Sequence, residues 1–222
     1  MKWLLVLLPL LFLANCSYTE TTKETGHKGK ARINPYLAAE RFLEEFGYES
    51  ENSPGWPDLE SELSTVLIPA SSLSARGYVD ELDEWARYGG HVVVLLSNGE
   101  AYLNDWGSRS FGLLDDEDDQ PEPFSEWLDK LGVEMDFKPG KKGKPLSADK
   151  VEFLGDEFEV FMEAQVCPKD EDGKATMLLT FERGDGRVTF VADARPFRNR
   201  WIGDDDHAAL FLACLLYTSD AA

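Results

Sequence analysis

Residues 64–97 read STVLIPASSLSARGYVDELDEWARYGGHVVVLLS, and this stretch decides the fold. Residues 65–69 and 91–96 are short, nearly continuous apolar runs rich in Val, Leu and Ile. Runs of that length and composition predict parallel strands buried on both faces. Between them Tyr78, Leu82, Trp85 and Ala86 fall at the spacing of one helix face, while Asp80, Glu81, Asp83, Glu84 and Arg87 fill the other side. Gly89-Gly90 ends the helix, because glycine takes up the left-handed conformation of a C-terminal cap without steric cost. The whole predicts a right-handed β-α-β crossover.

Toward the N-terminus, Asn34-Pro35 predicts a helix start, with Asn as cap and Pro in the first helical position. Ala39, Phe42, Leu43 and Phe46 then face a core, and Gly47 ends the helix. Residues 19–32 are polar, lack an apolar period, and read as a flexible tether. Lys2 followed by the apolar run 3–14, broken by Pro9, makes residues 1–18 a signal peptide, lipoprotein signal or signal anchor. Cys16 is the candidate lipidation site, although Asn15 stands where a small residue usually precedes such a cysteine. Each of these alternatives puts the domain outside the cytoplasm, on the periplasmic side of an inner membrane.

Toward the C-terminus, residues 98–120 read as an excursion from the sheet anchored by Tyr102, Trp106 and Phe111. Its acidic run 115–119 lacks the spaced Asp/Asn-Gly-Glu pattern of a calcium loop and reads as solvated chain. Residues 123–131 predict a short helix carrying Phe124, Trp127, Leu128 and Leu131 on one face. The basic turn 138–144 has no phosphate-loop pattern. Residues 152–154, 158–162, 177–181 and 187–191 predict strands, joined by turns at 155–156 and 182–186, that form an antiparallel extension of a mostly parallel sheet or a small lobe. Residues 214–222, CLLYTSDAA, resemble the translated adaptor of a sequencing library and are set outside the domain, which is bounded at 33–213.

The formal net charge of -20 in 222 residues repels phosphates and argues against a nucleic-acid partner. Three cysteines form no disulfide framework and no C-x-x-C pair. Cys167 reads as an inert small hydrophobe. His27, His91 and His207 have no metal-ligand spacing, so neither a metal nor a cofactor is expected.

Four segments carry a resemblance to a known family. They are Asn34-Pro35-Tyr36-Leu37-Ala38-Ala39-Glu40-Arg41-Phe42-Leu43, Leu67-Ile68-Pro69-Ala70, Gly89-Gly90-His91-Val92-Val93-Val94, and the stretch 193–210 that opens Asp193-Ala194-Arg195-Pro196-Phe197-Arg198-Asn199. Together they resemble the bacterial domain of unknown function family 4350. The resemblance implies a flavodoxin-like, class I glutamine amidotransferase-like α/β sandwich held at the membrane, often encoded beside a MoxR-type ATPase. It also implies a second membrane helix after the domain in longer members.

Amidotransferase chemistry needs a cysteine at a strand-to-helix elbow, and no such cysteine is present. Ser97, Asp193 and His207 stand in the chain order of an α/β-hydrolase triad, but Leu95-Leu96-Ser97-Asn98-Gly99 lacks the first glycine of the nucleophile elbow. Asp193, Asn199, Asp206 and His207 follow the last strand, where open α/β sheets bind ligands, and are the candidate ligand-binding residues. Caps and local loop bonds explain the same residues structurally, with residues 204–206 opening a helix after Gly203. The leading expectation is a membrane-tethered, non-catalytic binding or scaffold domain of an envelope assembly. The alternative is a hydrolase built on Ser97, Asp193 and His207 or on carboxylates at the sheet's carboxyl edge.

Overall fold

Strand β1 (Thr65–Pro69) and strand β2 (His91–Leu95) pair in parallel, Thr65 opposite His91 and Pro69 opposite Leu95, with a helix between them. In this computed structural model residues 26–59, 62–101, 105–106, 120–137, 149–163 and 166–216 are described. The leader with Cys16, Tyr102 and Phe111, the acidic run 115–119, the basic turn 138–144 and the tail 217–222 lie outside the described residues. No helix of the described residues is long and apolar enough to cross a membrane.

The first two helices are α1 (Lys30–Ile33) and α2 (Leu37–Glu45), both ahead of β1. Helix α3 (Arg76–Arg87) joins β1 to β2, and α4 (Glu122–Leu131) follows β2. Then come β3 (Met135–Phe137), the hairpin of β4 (Asp149–Phe153) and β5 (Asp156–Val160), β6 (Val166–Pro168), and the hairpin of β7 (Leu178–Arg183) and β8 (Gly186–Val191). Helix α5 (His207–Leu216) ends the described chain.

The main sheet has the order β1-β2-β8-β7, parallel across its first three strands and antiparallel at β7. The sheet is thus partly parallel with an antiparallel edge, as expected, but of the predicted antiparallel strands only β7 and β8 join it. The β4-β5 and β3-β6 pairs form separate two-stranded sheets, and β3 and β6 are too short to show a period in the sequence.

Period two sorts the core into two layers. Val66, Ile68, Val92, Val94, Val188 and Phe190 face α3 and α4. Val93, Leu95 and Val191 face α2, α5 and the β4-β5 hairpin. Every residue of β2 is buried, as its unbroken apolar run requires. Each large apolar side chain so buried contributes about 1.5–3 kcal/mol.

Several expectations change. Helix α3 buries Val79, Leu82 and Ala86, whereas Tyr78 is exposed and stacks on Trp56, which arrives from the preceding loop. Asp83, expected on the solvent side, accepts from Trp127 Nε1 and from both Nε and Nη2 of Arg183. Partial burial opposes its charge, yet Arg183, Trp127 and Arg87 hold its carboxyl below the usual range. Helix α2 opens at Leu37, not at Pro35, because Asn34 Oδ1 takes the Tyr36 N–H in a local turn, and Phe46 is exposed. The stretch 19–32 read as a tether ends in the helical turn of α1. The sequence boundary at 214 falls inside α5, where Cys214 is buried in the core and burial raises its thiol pKa.

At Gly90 an added Cβ would lie 2.3 Å from the Trp85 ring, and at Gly186 it would lie 2.2 Å from the Ala86 carbonyl oxygen. Both glycines let the end of α3 sit against the starts of β2 and β8, where Asp185 N–H reaches Arg87 O at 3.0 Å.

Candidate functional site

The carboxyl ends of β2 and β8 lie side by side, joined by Leu96 N–H to Val191 O at 2.9 Å and Ala194 N–H to Ser97 O at 3.0 Å. Just past β2 the chain turns through Asn98 at φ 58, a left-handed conformation that Asn tolerates better than most residues. Past β8 it runs through Asp193 into a single 3-10 turn, Arg195–Phe197.

Asp193 is fully buried and its two oxygens are crowded with donors. Oδ1 accepts from Asn98 Nδ2 at 2.9 Å and the Arg195 N–H at 3.1 Å, while Oδ2 accepts from Arg195 Nε at 2.7 Å and the Glu163 N–H at 2.8 Å. Arg195 Nη2 also reaches Asp193 Oδ2 at 2.5 Å and the Glu163 carbonyl at 2.8 Å. Burial works against the Arg195 charge, but Asp193, with Glu163 behind it, raises its pKa all the same. The pair thus clamps the strand end to the segment around Glu163.

Arg198 repeats the device one turn later. It is fully buried, donates to Asp105 Oδ1 at 2.7 Å, and reaches the Asn98 and Glu100 carbonyls at 3.0 Å each. Its guanidinium lies 5.8 Å from the centroid of Tyr36, whose hydroxyl donates to the Gly99 carbonyl at 2.8 Å. Burial raises the Tyr36 phenol above its ordinary range. Three backbone carbonyls of the loop after β2 are therefore held by Arg198 and Tyr36.

Asn199 ties the N-terminal helices to this loop. Its Oδ1 takes the Ala38 N–H at 2.8 Å, in the first turn of α2, and its Nδ2 donates to the Ala31 and Asn34 carbonyls at 3.1 and 2.7 Å. A residue distant in sequence thus supplies the helix cap that Asn34 was expected to provide. Asn199→Ala is expected to lower stability by about 2 kcal/mol, the loss of a cap plus stranded carbonyls, in urea unfolding followed by tryptophan fluorescence. A loss within experimental error would refute that role.

His207 opens α5 fully buried. Its Nε2 accepts the Phe161 N–H at 2.8 Å, so Nδ1 carries the proton and donates to the Trp201 carbonyl at 2.6 Å. Burial lowers its pKa against the opposing pull of the Trp201 carbonyl and of Asp204, Asp205 and Asp193. Asp206 Oδ2 takes the Glu159 N–H at 2.8 Å and the Asp206 N–H returns to the Glu159 carbonyl at 3.0 Å. Residues 204–206 therefore precede the helix, and Asp206 docks β5 rather than capping α5 with its side chain.

All four candidate ligand-binding residues thus gather around the β8-α5 connection, yet each bonds a different stretch of backbone. Ser97 is buried under the same loop, and no hydrogen bond joins it to His207 among the described residues. No group of three or more His, Cys, Asp or Glu side chains is placed to hold a metal ion among the described residues. Arg195, Arg198 and Tyr36, which complete the network, were not singled out as site residues. The signal for the arginines lies in the stretch Ala194-Arg195-Pro196-Phe197-Arg198-Asn199-Arg200, basic residues clustered at a strand end of a strongly acidic chain.

Fold and network together define a mixed α/β domain whose strand-end polar residues clasp its own loops. Residues 29–215 match the Domain of unknown function (DUF4350), and the chain belongs to that family. No curated protein matches it. Among solved structures it is similar to the exo-beta-1,4-mannosidase Op5Man5 from Opitutaceae bacterium strain TAV5, at 13% identity and TM-score 0.49, over 92% of this chain and 35% of that one. It is similar to the mmIFT52 N-terminal domain at 10% identity and TM-score 0.49, over 90% of this chain and 97% of that one. Gan42B, a GH42 beta-galactosidase from G. stearothermophilus, aligns at 14% identity and TM-score 0.33 over 58% of this chain, which spans only 19% of that enzyme.

Proposed function

We propose that the chain is a non-catalytic binding or scaffold domain of flavodoxin-like, class I glutamine amidotransferase-like architecture. It is tethered to the bacterial inner membrane by residues 1–18, on the extracytoplasmic side, within an assembly that works with a MoxR-type ATPase. The observation that carries the reading is the engagement of His207 and Asp193. Both ring nitrogens of His207 are held by backbone groups, and Asp193 is saturated by Arg195, Asn98 and the Glu163 N–H. A general base must have a nitrogen within reach of its nucleophile, and here that nitrogen holds the β5-β6 connection in place.

Cross-linking of the full chain in native membranes, followed by mass spectrometry, tests the reading. A reproducible set of membrane proteins that includes a MoxR-type ATPase is expected, whereas recovery of the chain alone overturns the proposal. Ser97→Ala should leave both that set and any background turnover of p-nitrophenyl esters unchanged. Ester turnover by the wild-type chain that falls about 100-fold or more in Ser97→Ala would instead establish the hydrolase.

A further inference from the structure

Strand β1 ends the main sheet, and among the described residues no strand pairs with its outer side. The His91 N–H donates to Ser64 O at 3.0 Å, which fixes the phase of the ladder. Ser64, Val66 and Ile68 turn their peptide groups toward β2, so Thr65 and Leu67 turn theirs away. Among the described residues no hydrogen bond reaches the outward N–H or C=O of Thr65 or Leu67. Pro69 completes the outward row, and its missing N–H costs no ladder bond there.

A cleft of about 1630 Å³ runs beside this edge, walled by β1, α2, the 48–57 loop and the end of α5. It exceeds the roughly 300–1,000 Å³ of small-molecule pockets, and its lining takes in every residue of β1. Eight large apolar residues are exposed among the described residues, and four of them, Ile33, Tyr48, Leu63 and Tyr78, line this cleft. Its charged lining comprises seven carboxylates, from Glu40 on α2 to Asp185 beside β8, against the single guanidinium of Arg187.

We infer that the open edge of β1 is a docking strand for an extended, lysine- or arginine-bearing segment of a partner protein. The segment adds to the sheet through the N–H and C=O groups of Thr65 and Leu67. Successive side chains of the added strand point to opposite faces, so in an alternating segment the apolar ones meet Leu67 and Tyr48 and the basic ones turn to the acidic rim. A second copy of the chain is disfavoured as occupant, because pairing β1 with β1 would bring two acidic rims together in molecules of net charge -20. This assignment rests on the binding-domain reading and names the surface through which the partner is held.

The test uses the full chain and a blocked peptide that alternates lysine with valine. The peptide should bind, slow amide hydrogen exchange at Thr65 and Leu67, and bind about tenfold more tightly than its glutamate-valine counterpart. Leu67→Pro removes one outward N–H and leaves the β2 ladder intact, so it should abolish the exchange protection at Thr65. Unchanged exchange at Thr65 and Leu67 in the wild-type chain, equal binding of both peptides, or dimerisation through β1 would each overturn the assignment, whether or not the proline variant folds. If the native-membrane cross-links persist in a folded Leu67→Pro chain, the edge assignment falls while the binding-domain reading stands.

Discussion

Replacing Asp193 with alanine is expected to cost about 3–5 kcal/mol, because it removes the buried counter-charge of Arg195 and leaves only the more exposed Glu163 carboxylate, 3.8 Å from Nη1. Asp193 is fully buried and Arg195 nearly so, so water cannot take over the lost partner cheaply. The same substitution strands the Glu163 N–H and frees Asn98 Nδ2, which loosens the loops after β2 and β5 together. Asp193→Asn should cost less, since its amide oxygen still accepts from the Glu163 N–H while the charge attraction is lost. Pairing Asp193→Ala with Arg195→Met should cost less than the sum of the two single changes, by about 1–3 kcal/mol, because the double variant holds no orphaned charge. Urea unfolding of the four chains measures this. A single-variant loss under about 1 kcal/mol would show that the clamp is solvated in a way its burial denies.

The β1-α3-β2 unit was legible because its two apolar runs are dictated by burial on both faces, which leaves little choice of residue. The buried face of α3 was less so: Tyr78 and Val79 both fit a helical stripe, and only Trp56, from a loop with no period, settles which of them is buried. At the strand ends the sequence placed Asp193, Asn199, Asp206 and His207 together but not their partners. Asn199 reaches Ala31 across 168 residues and Arg198 reaches Asp105 across 93, and no local pattern encodes such pairings. Helix capping has a local signature, which points to Asn34 for the role that Asn199 performs. The arginines have none, because a buried guanidinium is recognisable only once its carboxylate and carbonyl partners are known.

A second expected result concerns His91, and it appears as a dependence on pH. His91 is buried on β2, its Nε2 lies 2.8 Å from Thr189 Oγ1, and Thr189 in turn meets Thr180 Oγ1 at 2.9 Å. Burial, reinforced by the nearby positive charge of Arg187 and only partly offset by the Leu215 carbonyl, pushes its pKa down to about 4 from 6.5. Well above pH 6.5 the imidazole is neutral in both folded and unfolded chains and exerts no pH effect. As pH falls toward 4 the unfolded chain takes up a proton that the folded chain refuses, so stability drops by about 3 kcal/mol across that window. Burial of His207 acts in the same direction. Carboxylates also titrate at the acid end of this range, so the contribution of His91 is read as a difference between the wild type and His91→Gln. That difference should shrink by about 3 kcal/mol between pH 7 and pH 4, because the glutamine chain has lost the titrating group but retains every carboxylate. A constant difference would mean that His91 titrates alike in both states, and the buried chain of His91, Thr189 and Thr180 would then have to open to water in the folded protein.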